Sequence, residues 1–294
     1  MKVYLVDGTY ELFRYFYALP SHVNRWGEEV AAVRGVIASM LSLMEEGVTH
    51  VAIATDQVIE SFRNDLWPHY KNGSGIDTRL RSQFAILEDA LQCAGFTVWP
   101  MVEFEADDAL AAGAALCAAD ERVEQVVICT PDKDLAQCVL LDRVVQLDRR
   151  RKRVFNHDGV IEKFGVEPEY IPDYLALVGD AADGYPGLRG WGPKSAVSAI
   201  RRYGHLEQIP AGALDLPMKS ADRLGVTFSN QREMVLLFRR LATLVTDGVI
   251  HSTVDALRWS APLQSFADIC ERLEAPALFT RARSFSHSLP RMAL

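Results

Sequence analysis

Four short apolar segments of this chain run into acidic residues, and that recurrence restricts the fold more than any other feature. Lys2 to Val6 ends on Asp7-Gly8, and His50 to Ala54 ends on Asp56. Phe96 to Trp99 leads into Glu105-Ala106-Asp107-Asp108, and Gln125 to Cys129 ends in Thr130-Pro131-Asp132-Lys133-Asp134. The run Val126-Val127-Ile128 is unbroken, as suits a parallel strand buried on both faces. Helical spacings lie between the segments: Thr9 to Tyr17, then Val33, Val36, Ile37, Met40, Leu41 and Met44 closed by Gly47, then Leu80, Phe84, Leu87 and Leu91. The pattern predicts an α/β fold with a mainly parallel central sheet flanked by helices. Its strand ends deliver acid to one edge, where ligands of open α/β sheets gather.

The acids of Glu105 to Asp108 are followed by an apolar stretch, Ala109 to Ala119, that reads as a buried helix. One carboxylate would suit a helix start. Three within four residues repel one another unless a cation sits between them. Taken alone, a cap with a solvated turn and a metal site stand level. Acid at the end of every strand shifts the balance toward one carboxylate-lined pocket.

The 294 residues, 49% hydrophobic, suffice for one large domain or two smaller ones. The opening residues read as a strand and not as a signal peptide. The longest apolar run is too short to span a bilayer, so a cytoplasmic chain without membrane contact is expected. The five cysteines are odd in number and form no C-x-x-C pair, which fits reduced thiols and neither a disulfide frame nor a zinc site. The net charge of −8 argues against a nucleic-acid partner, unless the acid is concentrated in a metal-filled pocket.

Ser61 to Lys71 carries Arg63, His69, Tyr70 and Lys71, and a mobile stretch, Asn72-Gly73-Ser74-Gly75, follows. By themselves Arg63 and Lys71 read as solvated surface charge. Val144 to Leu147 and Arg153 to Phe155 form a hairpin pattern with Arg149-Arg150-Arg151-Lys152 at its tip, read as a solvated turn, with a DNA backbone contact as the lesser alternative. From Pro172 the pattern is helical. Asp173 to Val178 leads into Gly179-Asp180-Ala181-Ala182-Asp183-Gly184, a glycine-rich turn over Pro186 to Ser195, and a helix over Ala196 to Tyr203. The free amides of that helix start, with Lys194 and Ser195, make a phosphate-binding corner. The tail from about Leu257 carries no motif, and some of its charged and aromatic residues are expected to pack back on the core.

Several of these motifs stand in an order that resembles the 5′-nuclease (flap endonuclease) superfamily: Val6-Asp7-Gly8, Phe62-Arg63 with Tyr70-Lys71, Glu105-Ala106-Asp107-Asp108, Asp132-Lys133-Asp134-Leu135, and Leu177-Val178-Gly179-Asp180 with Asp183 and the glycine turn. Phe164-Gly165-Val166, Pro168 and Tyr203-Gly204 also look like that family, in the form found at the N-terminus of bacterial DNA polymerase I and in stand-alone bacterial or phage 5′–3′ exonucleases. No polymerase domain follows, so a stand-alone nuclease is expected.

The resemblance implies a PIN-like core over residues 1–170 with a short arch near 62–84. It also implies a helical region over 171–294 with a helix–three-turn–helix motif at about 187–203. Carried over by motif, the metal ligands are Asp7, Asp56, Glu105, Asp107, Asp108, Asp132, Asp134, Asp180 and Asp183. Lys71 and Arg63 balance charge on the scissile phosphate, and Tyr70 stacks on a frayed base. Gly187, Gly190, Gly192, Lys194, Ser195, Arg79 and Arg81 touch DNA.

The implied activity is 5′–3′ exonuclease and 5′ flap endonuclease cleavage of DNA ends, flaps or junctions by a monomer. The implied ions are Mg²⁺ or Mn²⁺, with K⁺ at the helix–three-turn–helix. Setting the nine candidate acids aside turns −8 into +1, which removes the charge objection. A cleavage-deficient DNA-binding protein of the same fold and a PIN-like ribonuclease are the alternatives. The chain departs from the family at Gly184, where Asn is usual, at Pro131, where Gly is usual, and in the short stretch after Lys71, which implies an open or flexible arch.

Overall fold

The computed structural model describes residues 1–286. They form two compact units. One holds Met1–Val58, Gly73–Thr130 and the described residues from Thr246 on; the other holds Ile59–Asn72 and Pro131–Val245.

In the first unit, β1 (Lys2–Asp7), β2 (His50–Asp56), β3 (Thr97–Met101) and β4 (Gln125–Cys129) are all parallel, in the order β3-β2-β1-β4. β1 is central: Val3 pairs with His50 on one side and with Val126 on the other. Val3, Leu5, Val6, Val51, Ala52, Ile53, Val126 and Ile128 are buried, which is why these strands read as continuous apolar runs. Parallel neighbours need long crossovers, and helices Gly8–Ala18, Ala31–Glu45, Gln83–Cys93 and Ala106–Ala119 lie along them. The expected helix from Ala109 starts three residues earlier, inside the acidic cluster. Gly113 lets this helix close on the sheet; a Cβ there would meet the Trp99 ring at 2.7 Å.

The tail does return to this unit. The Trp259 amide donates to the Thr49 carbonyl at 2.9 Å, and its indole N–H donates to the Ala94 carbonyl at 2.9 Å. Leu257 is buried, as are Phe266 and Cys270 of helix Phe266–Arg272 and Leu273 just after it, and helix Pro276–Ser286 follows. Among the described residues all five cysteines are free thiols, and no helix is long and apolar enough to cross a membrane.

In the second unit, β5 (Val144–Asp148) and β6 (Arg153–Phe155) pair antiparallel, with Gln146 opposite Phe155 and Asp148 opposite Arg153. Helices His157–Phe164, Ile171–Val178, Pro193–Tyr203, Ala221–Asn230 and Arg232–Ala242 bury a core that includes Leu175, Leu177, Ile200, Phe228 and Phe238. The helix expected from Ala196 begins at Pro193, because Ser195 caps it: its Oγ accepts the Gly192 amide at 2.9 Å and donates to the Gly192 carbonyl at 3.0 Å. Proline at the first helical position loses only an amide that would have had no partner in the helix.

Candidate metal centre and nucleic-acid interface

At the sheet edge Asp7, Asp56 and Asp108 each accept a backbone amide at a helix start. Asp7 ends β1 and begins the next helix, with Oδ1 accepting the Tyr10 amide at 2.7 Å and Oδ2 accepting the Thr130 hydroxyl at 2.9 Å. Gly8 permits this turn, since a Cβ there would lie 2.6 Å from Ile53. On the neighbouring strand Asp56 accepts the amide of Ala106 at 2.8 Å. The Glu105 amide donates to Asp108 Oδ2 at 3.0 Å in a capping box, and Asp107 sits half-buried in the first turn. Asp56, Glu105, Asp107 and Asp108 thus meet at one helix start, whose dipole offers about half an elementary charge. The cap reading of the sequence holds for Asp56 and Asp108, whose carboxylates accept backbone amides of this helix start.

Sequence reasoning missed Glu88. Its buried carboxylate accepts the Thr55 hydroxyl at 2.7 Å and the Gln57 amide at 3.1 Å, beside Asp56. Burial pushes its pKa up, and the charges of Asp89 and Asp56 add to that against the two hydrogen bonds. The signal was an acid next to Leu87, on the buried side of the helix that Leu87 and Leu91 mark.

In the second unit, Asp134, Asp180 and Asp183 each offer an oxygen within 4.8 Å of the other two, and all three are buried. Among the described residues this is the only such group of three. Its frame is backbone: the Asp180 amide donates to the Tyr185 carbonyl at 2.8 Å and the Tyr185 amide donates back at 3.0 Å. Gly179 and Gly187 cross closely behind it, where a Cβ on either would lie 2.4 Å from the facing backbone. Two lysines face the triad, Lys71 Nζ at 3.1 Å from Asp183 and Lys133 Nζ at 2.8 Å from Asp180. Burial alone would lower the Lys133 pKa; the hydrogen bond and charge of Asp180 outweigh it and raise the value. Burial, then the charges of Asp132, Asp183 and Asp180, drive the Asp134 pKa well up.

Asp134 Oδ1 and the Tyr185 hydroxyl are buried without any hydrogen-bond partner. A buried orphan oxygen beside two further carboxylates is what a hard cation would satisfy, so the donor set fits a divalent ion.

The remaining predicted residues fall in different places. Asp132 is exposed and accepts the Asp134 amide at 3.2 Å. Arg63 is 1% exposed. Its guanidinium donates to the carbonyls of Leu241 at 2.9 Å and Thr243 at 3.1 Å. That corrects the expectation of a cation facing the phosphate: buried and engaged with main-chain carbonyls, Arg63 anchors its segment. Tyr70 is 3% exposed and lies in the hydrophobic core, so its ring offers no face to a frayed base. Arg79 and Arg81 are exposed in the first unit, with Arg79 paired to Asp77 at 2.7 Å. Gly187 is used in the backbone crossing. Gly190, Gly192, Lys194 and Ser195 line an open groove with Pro193, Pro217 and Met218, Ser195 being mostly buried as the cap.

A parallel α/β unit edged with carboxylates, and a second unit holding a buried acidic triad beneath lysines, are features that a metal-dependent nuclease would use, and comparison with known proteins places the chain in that class. The chain belongs to the 5′–3′ exonuclease family: residues 2–165 match its N-terminal resolvase-like domain and residues 166–265 its C-terminal SAM fold. It is 31% identical over 280 residues to a 5′–3′ exonuclease of Aquifex aeolicus, covering 94% of this chain and 93% of that one. It is 35% identical over 260 residues to DNA polymerase I of Pseudomonas aeruginosa, covering 86% of this chain but only 28% of the polymerase. In fold it is similar to the T5 D15 protein co-crystallised with metal ions, with TM-score 0.66, 19% identity and coverage of 98% and 99%. It is also similar to the catalytic core of Rad2 in complex with DNA substrate, with TM-score 0.61, 14% identity and coverage of 99% and 92%.

Proposed function

We propose that the chain is a divalent-metal-dependent 5′–3′ exonuclease and 5′ flap endonuclease of DNA, acting as a monomer in the cytoplasm. The observation that carries this is the convergence of Asp134, Asp180 and Asp183 around a buried oxygen that has no protein partner. Asp134, Asp180 and Asp183 would hold an ion in the second unit. Asp7, Asp56, Glu105, Asp107 and Asp108 are the proposed ligands of the first, and Asp132 flanks the triad. All-oxygen donors favour Mg²⁺ or Mn²⁺. When bound, such ions lower the pKa of a coordinated water and stabilise a leaving oxygen.

The chain's own groups do the rest. Lys71 places its ammonium where negative charge builds on the scissile phosphate, which is the kind of stabilisation that counts most in a dry site. Lys133 keeps Asp180 oriented. The groove of Gly190, Gly192 and Lys194 presents the amides of the Pro193–Tyr203 helix start to a phosphate, with K⁺ on nearby backbone carbonyls. Catalysis is assigned to the core over 1–170, including its short arch at 62–84, together with Asp180 and Asp183, and duplex grip to the rest of the helical region from 171 on.

The test is cleavage of a 5′-labelled flap in Mg²⁺, Mn²⁺ or EDTA, with wild type beside Asp132→Asn and Asp134→Asn. Metal-dependent cutting near the junction, abolished by EDTA and by Asp134→Asn, is expected. Tight flap binding with no cutting in any metal would show a DNA-binding protein that does not cleave.

A further inference from the structure

The hairpin tip Asp148 to Arg153 carries five cations against one acid in a chain whose net charge is −8. Arg150, Arg151, Lys152 and Arg153 are exposed. Asp148 is buried and closes the turn, accepting the Arg151 amide at 2.9 Å and pairing with its guanidinium at 3.5 Å, and Glu162 lies 3.6 Å from Arg153, so the tip keeps a surplus of positive charge. We propose that this tip is a second contact to the phosphate backbone of DNA, apart from the acids and from the glycine-rich helix start. The inference rests on the nuclease reading above.

Three observations carry it. Lys152 adopts φ +53°, the left-handed region that favours glycine, so the chain accepts local strain to present a lysine there. The base of the tip is fixed: the buried Phe155 ring has the Arg153 guanidinium 4.7 Å and the Lys163 ammonium 4.6 Å from its centroid. The strand is also tied to the acidic segment, because the Gln146 side-chain amide donates to the Asp132 carbonyl. From Gln146 to Asp148, where the strand ends, the chain runs about 7 Å, or about two base pairs of duplex, before the turn that carries the cations. Guanidinium forks match phosphate oxygens two at a time. An acidic protein surface fits less well, since Val154 is the only exposed large apolar side chain between Val144 and Phe155, and protein interfaces centre on apolar anchors.

The experiment measures binding of a fluorescent 5′-flap duplex, with Ca²⁺ in place of Mg²⁺, across a salt series. Wild type is compared with Arg150→Gln/Arg151→Gln/Lys152→Gln and with Lys152→Gly. Each lost phosphate contact lowers the slope of log affinity against log salt by about 0.9. The triple variant should lose about 2–3 units of slope and about 10–30-fold in affinity near physiological salt, with KM raised in proportion and kcat kept in Mg²⁺. Lys152→Gly should lose about one unit while melting no lower than wild type, because glycine suits that backbone.

Slopes and affinities equal to wild type in both variants would overturn the contact and hand the tip to an acidic polypeptide. The nuclease reading would stand, since wild type would still bind and cut. A wild type that neither binds nor cuts flap DNA would overturn both.

Discussion

Lys71 reaches Asp183 twice: its ammonium lies 3.1 Å from Oδ1, and its amide donates to the Asp183 carbonyl at 2.9 Å. The second contact fixes the lysine's backbone to the acidic loop independently of its charge. Trp67 reinforces it, donating its indole N–H to the Gly184 carbonyl at 3.0 Å. A cation held this way is positioned before any substrate arrives, which is the condition for electrostatic catalysis.

Lys71→Ala is therefore expected to slow flap cleavage by about 10²–10³-fold, the usual loss for one preorganised charge-stabilising group. Binding in Ca²⁺ should weaken by no more than a few-fold. Single-turnover rates and a titration on the same DNA separate the two. Equal losses in both would make Lys71 a binding residue and remove its catalytic part.

Gly184 explains one departure from the family pattern and yields a second prediction. Its φ is +81°, and a Cβ there would lie 2.1 Å from the His69 carbonyl. Asparagine tolerates such a φ but carries the same Cβ, so Gly184→Ala and Gly184→Asn should both push residues 69–71 off the loop. The expected cost is about 2–4 kcal/mol, or several degrees of melting temperature, together with a fall in kcat as Lys71 moves. A Gly184→Asn variant with wild-type melting and turnover would contradict the packing.

The same residues show how far the sequence could be read. Strand-end acids predicted the parallel sheet and its edge, because a central strand must be apolar on both faces and Asp7 or Asp56 can stand only where it ends. The pairing of Asp180 with Asp183 was legible as spacing. What was not legible is which cations face solvent. Arg63 and Lys71 look alike in sequence, yet Arg63 is buried against Leu241 and Thr243, carbonyls about 180 residues away. Tyr70 follows the same logic: its burial depends on core residues such as Tyr185 and Phe238 that no local pattern announces.

Glu28 and Arg272 tie the loop before the second helix to the tail, with Nη2 to Oε1 at 2.6 Å. The Arg272 hydrogen bond, with one from Asn24, holds the Glu28 pKa down at about 2 against an ordinary 4.5. The folded value is the lower one, so this stability is present above pH 4.5 and is lost as the pH falls from there toward 2. Both side chains are about one-third exposed, which limits the effect to about 1 kcal/mol or less. Urea midpoints of wild type and Glu28→Gln should differ at pH 6.5, the gap narrowing by pH 3 and closing near pH 2. A difference that persists undiminished at pH 3 would assign the effect to packing.

The acidic triad gives the last prediction, because its two states differ in sign. Without a cation, Asp134 is crowded by Asp180, Asp183 and Asp132 inside the fold, and its Oδ1 has no partner. Asp134→Asn removes one of those charges, so in EDTA the variant should melt above wild type. With a cation the order reverses. Binding at about one hundred times Kd stabilises the native state by about 2.7 kcal/mol, and an amide in place of a carboxylate forfeits most of that. Melting curves in EDTA and in rising Mn²⁺ should cross: the variant higher without metal, wild type higher with it. Parallel curves, with the variant below wild type throughout, would mean that Asp134 serves the fold through contacts other than a metal, and the cation would have to be sought among Asp7, Asp56 and Glu105 instead.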